Sequence, residues 1–288
     1  MADISASTVM KLRKMTGQGM MDCKRALQEA NGDMDSAVDI LRKKGLLTLA
    51  KRAGRETTEG LVVSGSSADG QSVVLATLCC ETDFVAKSDA FIVAAEKLVQ
   101  CGLACAVSEG VENVLGTEID GKSFKDVLVE AVSKTGEKTE VGDYSRYSLD
   151  GSGLIRVYVH FNKKVGTMVQ IETSDDKTAE SEDVKRIAAD IAMHITATKP
   201  LALDRTGIDA EIVAKEKAIY ADQAKGKPEN IIEKIVEGKM RKFYSENCLL
   251  DQPFVKDDSK TVSEVLAEAA KKAGGEAKIA KFARSEVG

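Results

Sequence analysis

The chain has 288 residues, of which 43% are hydrophobic and 30% charged, with a formal net charge of −5. That is enough for two or three globular domains, each with its own core. No apolar run nears the ~20 residues that span a bilayer, and Met1-Ala2-Asp3-Ile4-Ser5 has neither a basic start nor an apolar signal core, so no membrane role and a cytoplasmic location are expected.

Residues 5–45 read as three short helices. The first follows Ser5 and carries Val9 and Leu12. The second places Cys23, Ala26, Leu27 and Ala30 at helical spacing. The third begins with Asp33 as N-cap and carries Met34, Ala37, Val38 and Leu41. Asn31-Gly32 and Gly45 are the expected stops. Residues 1–55 hold eleven Lys and Arg against six Asp and Glu, whereas the remainder is acidic. The acidic body argues against DNA or other nucleic acid as main ligand, and residues 1–55 offer no aromatic on which a base could stack. The basic start suits an acidic protein surface or ribosomal RNA, or else is a solvated face. Residues 50–60 are polar and aperiodic and read as a linker.

A faint internal repeat follows. Gly60-Leu61-Val62-Val63 opens a strand, Asp69-Gly70 turns it, and the apolar run from Val73 to Cys79 returns as a buried strand. A helix then starts with Ser88 as cap and sets Phe91, Ala94, Ala95, Leu98 and Gly102 on one face. The second copy opens at Gly153-Leu154-Ile155, turns at 161–164, returns over 165–172 and continues into a helix at about 183–197. Two hairpin-plus-helix subdomains make the fold class α+β. Residues 208–247 read as a protruding helical hairpin, a coiled coil, turned at Gly226-Lys227-Pro228. Ile212 and Ile219 lie on one arm, with Ile231, Ile235, Met240 and Phe243 on the other. A strand at 252–255 leads to a helix carrying Val262, Val265, Leu266, Ala269 and Ala270, stopped by Gly274-Gly275, and then to a short strand around 279–287.

Motifs for bond chemistry are missing from the sequence. It has no G-x-x-x-x-G-K-[ST] loop and no G-x-G-x-x-G after a strand. The six cysteines, at 23, 79, 80, 101, 105 and 248, form no Cys-x-x-Cys pair and read as reduced core residues rather than metal ligands. Cys80 with His160 is the one conceivable nucleophile pair, and His194 reads as structural. No enzyme activity, cofactor or metal is expected. Asp83-Phe84 falls at a strand-to-helix corner. An aromatic there is either a core plug or a wedge aimed at a partner, and Asp83 is either part of that wedge or a carboxylate placed by the helix dipole.

Thr82-Asp83-Phe84-Val85-Ala86-Lys87 resembles the signature of the elongation factor Ts family. So do Leu12-Arg13-Lys14-Met15-Thr16-Gly17, Gly19-Met20-Met21-Asp22-Cys23-Lys24, Leu41-Arg42-Lys43-Lys44-Gly45, Val236-Glu237-Gly238-Lys239-Met240 and Gln252-Pro253-Phe254-Val255, in the family's order from end to end. The resemblance implies a guanine-nucleotide exchange factor for elongation factor Tu, bound in its GDP-loaded and nucleotide-free states, with no nucleotide held directly. It implies that Thr82, Asp83, Phe84 and Val85 disturb the partner's magnesium site. Arg13, Met20 and Met21 would dock on the same domain, although for Met21 core packing remains an equal alternative. His160 matches a family position that meets another part of the partner, despite a longer turn here. The helix at 262–273 would make a further contact. Residues 1–55 would be a docking domain like ubiquitin-associated domains. Residues 56–150, and 151–206 with 248–261, would be the core subdomains, 207–247 the hairpin, and 262–288 a C-terminal module. A homodimer is left open.

Overall fold

A computed structural model describes residues 4–288. The chain divides into two compact units. The first takes in the chain up to Arg146 together with Val159–Val165 and Ser285–Gly288, and the second is Tyr147–Tyr158 with Gly166–Arg284.

The first unit begins with α1 (Ala6–Thr16), α2 (Met20–Glu29) and α3 (Met34–Arg52). Ser5 and Asp33 cap α1 and α3, each accepting a backbone N–H from the first turn. Val9, Leu12, Cys23, Ala26, Leu27, Ala37 and Leu41 form their shared core, as the spacing predicts. A core this small gives little stability by itself. Two expectations are corrected here. Gly45 does not stop α3, which runs on to Arg52, so the linker is shorter than 50–60. The reason is packing: α3 lies against α7 (Phe124–Thr135), and a Cβ on Gly45 would meet the Val129 carbonyl oxygen and its Cγ1, both at 2.9 Å. Glycine is therefore kept for close helix approach, at a cost in helix propensity. Arg42 pairs with Asp126 across the same contact, and the buried Gln18 accepts a hydrogen bond from Ser133 at 3.1 Å.

β1 (Glu59–Ser66) and β2 (Ser72–Cys80) form an antiparallel hairpin with Glu59 opposite Cys80 and Ser66 opposite Val73. After β2 come α4 (Asp83–Ala86), α5 (Asp89–Ala104), α6 (Val111–Leu115), the short pair β3 (Glu118–Ile119) and β4 (Lys122–Ser123), then α7 and β5 (Thr139–Ser148). The sheet order is β1-β2-β5. β2 is central, and Val73 to Cys80 are all buried. Its residues Val74, Ala76, Leu78 and Cys80 meet Phe91, Ala94 and Leu98 of α5 and Phe124 and Leu128 of α7. Each fully buried Leu or Phe contributes about 1.5–3 kcal/mol of transfer free energy.

The second sheet repeats that topology. β6 (Gly153–Val159), β7 (Val165–Thr173) and β10 (Ala277–Glu286) stand in the order β10-β7-β6, so again a hairpin gains its third strand beside its second. Gly60 is the second residue of β1 and Gly153 the first of β6, and at both a side chain would run into the facing carbonyl, of Leu78 and Ile171 respectively. α8 (Asp176–Glu180) and α9 (Glu182–Thr198) follow β7. The hairpin α10 (Ala210–Gln223) and α11 (Glu229–Asn247) buries no residue on α10 and only Met240 and Phe243 on α11, so its seam is closed chiefly at the base. β8 (Pro253–Phe254) and β9 (Asp257–Thr261) lead into α12 (Val262–Ala273). Residues 262–288, expected as a C-terminal module, are instead integrated. α12 packs its apolar face, Val262, Val265, Leu266, Ala269 and Ala270, into one core with Val184, Ile187 and Ile191 of α9, and β10 completes the sheet.

His194 of α9 is fully buried. Its Nδ1 accepts the Val255 N–H at 3.2 Å, which leaves Nε2 to donate to Gln252 Oε1 at 2.9 Å. This is a structural histidine, held neutral because burial lowers its pKa from 6.5.

Two outcomes are expected. Gly45→Leu should cost about 1–3 kcal/mol by forcing α3 off α7, read as a lower denaturation midpoint; an unchanged midpoint would contradict the close approach. For His194, the unfolded ring gains a proton near 6.5 while the folded ring resists, so stability present above that value is lost as pH falls. Between about pH 7 and about pH 5, wild type should therefore lose more unfolding free energy than His194→Asn, and equal slopes would remove His194 from the account.

Candidate functional site

The corner after β2 is built by hydrogen bonds from three directions. Thr82 caps α4 by accepting the Val85 N–H at 3.4 Å. Its own N–H and hydroxyl both donate to Glu137, at 3.0 and 2.9 Å, so one carboxylate grips the residue twice. Glu81, one residue earlier, accepts from the Lys138 N–H and from Arg52 of α3, each at 2.7 Å. These donors, the Lys138 amide foremost, hold the Glu81 carboxyl below its usual range. Neighbouring carboxylates thus tie the end of β2 to the α7–β5 junction, and Arg52 ties it to the N-terminal helices. Val85 and Ala86 are buried in the sheet core and anchor α4 from below.

What this frame displays is Phe84, 82% exposed. The plug alternative is thereby excluded, since a core aromatic is covered. Asp83 beside it is solvated and pairs with Lys87 at 2.7 Å, which lowers its pKa. Thr82 and Val85 set the turn and Phe84 is what it presents. Cys80 is no nucleophile: burial pushes its thiol up to about 12, and it donates to the Thr82 carbonyl.

Arg13, Met20 and Met21 lie on α1 and α2. Met21 is 61% exposed, which rules out the core alternative for it. Arg13 and Met20 line a shallow groove together with Met10 and Gly17. His160 follows β6, where its N–H donates to Val165 across the hairpin turn at 2.9 Å. Its ring lies 4.4 Å from that of Phe161, which is 87% exposed. The turn is seated on the first sheet, because the Val62 N–H donates to the Lys163 carbonyl at 2.8 Å and Lys164 pairs with Glu59. Thr82 to Val85 are thus brought into one corner, and Arg13 and Met20 into one groove, while His160 stands on a separate turn. The sequence reading missed Glu137, Met10 and Phe161. Glu137 stands 55 residues from Thr82 and carries no local signal; Met10, between Val9 and Lys11, and Phe161, between His160 and Asn162, carry no motif of their own in the sequence.

Among the described residues, no group of three or more His, Cys, Asp or Glu side chains is placed to hold a metal ion, and no helix is long and apolar enough to cross a membrane. Fold and site define an α+β protein that displays apolar side chains on braced supports. A profile of the family described as "Elongation factor TS" matches residues 81–288. The chain is 45% identical to elongation factor Ts of a Nitratiruptor species over 99% of its own length and 93% of that protein's. It is 42% identical to elongation factor Ts of Alkalilimnicola ehrlichii, over 99% and 92%, and 39% identical to that of Desulfovibrio desulfuricans, over 100% and 99%. The chain therefore belongs to the elongation factor Ts family.

The grip on Thr82 can be tested apart from any partner. Glu137→Ala removes both acceptors, which should cost about 1–3 kcal/mol of stability because the Thr82 donors lose a charged partner. Amide exchange at Phe84 and Val85 should accelerate beyond the global change. Unchanged protection there would mean that Glu137 does not hold the corner.

Proposed function

We propose that this chain is a translation elongation factor that binds elongation factor Tu in its GDP-bound form and drives GDP release by inserting the Asp83-Phe84 corner beside the magnesium and phosphate site. The observation that carries this reading is the displayed Phe84 on a corner fixed by Glu137. A folded protein gains little from exposing a phenyl ring on a rigid support, whereas a partner pocket gains a large apolar area at low entropic cost.

The work is done by linkage. A factor that binds the nucleotide-free GTPase more tightly than the GDP-bound form weakens GDP by the same factor. The chain needs no bond-making chemistry for this. GDP is held through backbone amides and a magnesium ion, and packed interfaces switch between discrete arrangements when pushed. Phe84 supplies the push. Asp83, a carboxylate held ionised by Lys87, adds negative charge near the groups that hold the magnesium. Arg13, Met20 and Met21 dock the N-terminal helices on the same domain of the partner, with methionine providing a soft contact. His160 meets a second part of it. GTP rebinding then displaces the factor.

Release of a fluorescent GDP from elongation factor Tu tests this. Phe84→Ala should lose about 2–4 kcal/mol of interface energy, most of it as a lower maximal release rate. Its melting temperature should barely move, since an exposed ring adds little to the core. A variant releasing GDP at the wild-type rate would overturn the wedge.

A further inference from the structure

Sulfur chemistry in this chain is segregated. All six cysteines are free and buried. Burial raises the thiols of Cys79, Cys80, Cys101 and Cys248, the last to about 11, so little of the reactive thiolate forms at neutral pH. Burial acts to raise the Cys105 thiol, but hydrogen bonds from Thr117, Val107 and Tyr144 together with the Arg146 charge leave its pKa lowered, and it is only 3% exposed. The thioethers are distributed differently. Met168 and Met240 are buried, and Met34 and Met193 half-buried. Met10, Met15, Met20 and Met21 are 63, 60, 45 and 61% exposed, so every exposed methionine among the described residues falls in one twelve-residue stretch of α1 and α2.

We infer that these methionines are a modification site, at which peroxide converts the docking face of the N-terminal helices to methionine sulfoxide and so uncouples the chain from its partner. The inference rests on the docking reading of Met20 and Met21 given above. A methionine sulfur needs no deprotonation to react, so exposure decides which ones are attacked. Its lone pair attacks one peroxide oxygen. The S–O bond forms as the O–O bond breaks, and the departing hydroxide takes the remaining proton and leaves as water. Sulfur loses two electrons and peroxide gains them. The product replaces an apolar, deformable group with a strong dipole. Met10 and Met20 flank Arg13 in one groove, so a sulfoxide there brings into the contact an oxygen that must be desolvated when the partner seats. Methionine sulfoxide reductases, which take their electrons from a dithiol and release the oxygen as water, would restore the face.

The experiment treats the full chain alone with hydrogen peroxide, removes the oxidant, and then adds untreated elongation factor Tu. Peptide mapping should find sulfoxide at Met10, Met15, Met20 and Met21 before Met168, Met240 or any cysteine is oxidised. Affinity for the partner should fall about tenfold to a hundredfold, as expected for burying a poorly paired polar group. Repair with both stereospecific reductases should return it. The Met10→Leu/Met15→Leu/Met20→Leu/Met21→Leu variant, whatever its starting affinity, should show no further loss on treatment. Oxidation appearing first at Cys105 or at buried methionines would overturn the inference. So would sulfoxide at the four exposed positions with unchanged affinity, if Met20→Ala/Met21→Ala still weakens binding, because docking would then stand without the switch. If Met20→Ala/Met21→Ala leaves binding intact, the docking reading itself fails and the switch falls with it.

Discussion

The display of Phe84 depends on one carboxylate. Glu137 takes both the backbone N–H and the hydroxyl of Thr82, which already serves as the cap of α4. With those donors satisfied, a four-residue helix holds its shape in solvent, where helices that short are not stable by themselves. Glu81 repeats the device one residue earlier, through the Lys138 N–H and Arg52. The result is a stiff turn whose exposed ring is oriented before any partner arrives. Preorganisation of that kind lowers the cost of ordering at an interface.

The same corner explains why the N-terminal helices are not free to wander. α3 continues past Gly45, packs on α7 and delivers Arg52 to Glu81. The element that carries the methionine face is therefore mechanically continuous with the element that carries Phe84. Two sheets of matching order underlie the chain, each with a glycine near the start of its first strand pressed against a carbonyl of the next strand. In the first sheet the loop after the central strand became the corner; in the second, Thr173 leads through Asp175 into α8, which is capped by Asp175.

Much of this was legible in local patterns. Ser5, Asp33 and Ser88 announce helix starts because short polar side chains satisfy orphan N–H groups, and all three do so here. The apolar spacing of Cys23, Ala26 and Leu27, and of Phe91, Ala94 and Leu98, gave the buried faces correctly. Other features needed tertiary information. Gly45 follows a periodic run and so reads as a stop, but its role is set by Val129 on a distant helix. Residues 105–150 carry fewer local signals, although Ser123 followed by Phe124, Leu128, Ala131 and Val132 marks a helix. β5 was harder, since Asp143 and Arg146 interrupt its apolar pattern. Phe84 was legible as a corner residue, yet its exposure follows from Val85 and Ala86 taking the buried side of the turn. Glu137 was invisible, because nothing near it in the sequence refers to Thr82.

The central claim is that Glu137 acts through Phe84, and a double-mutant cycle measures that coupling. Maximal GDP release from elongation factor Tu would be recorded for wild type, Phe84→Ala, Glu137→Ala and the double variant. If the carboxylate matters for exchange because it holds the corner, Glu137→Ala should slow release in the wild-type background and add little once Phe84 is gone, leaving a coupling of about 1 kcal/mol or more. Fully additive losses would show that the two residues act independently, and the braced-wedge account would be wrong.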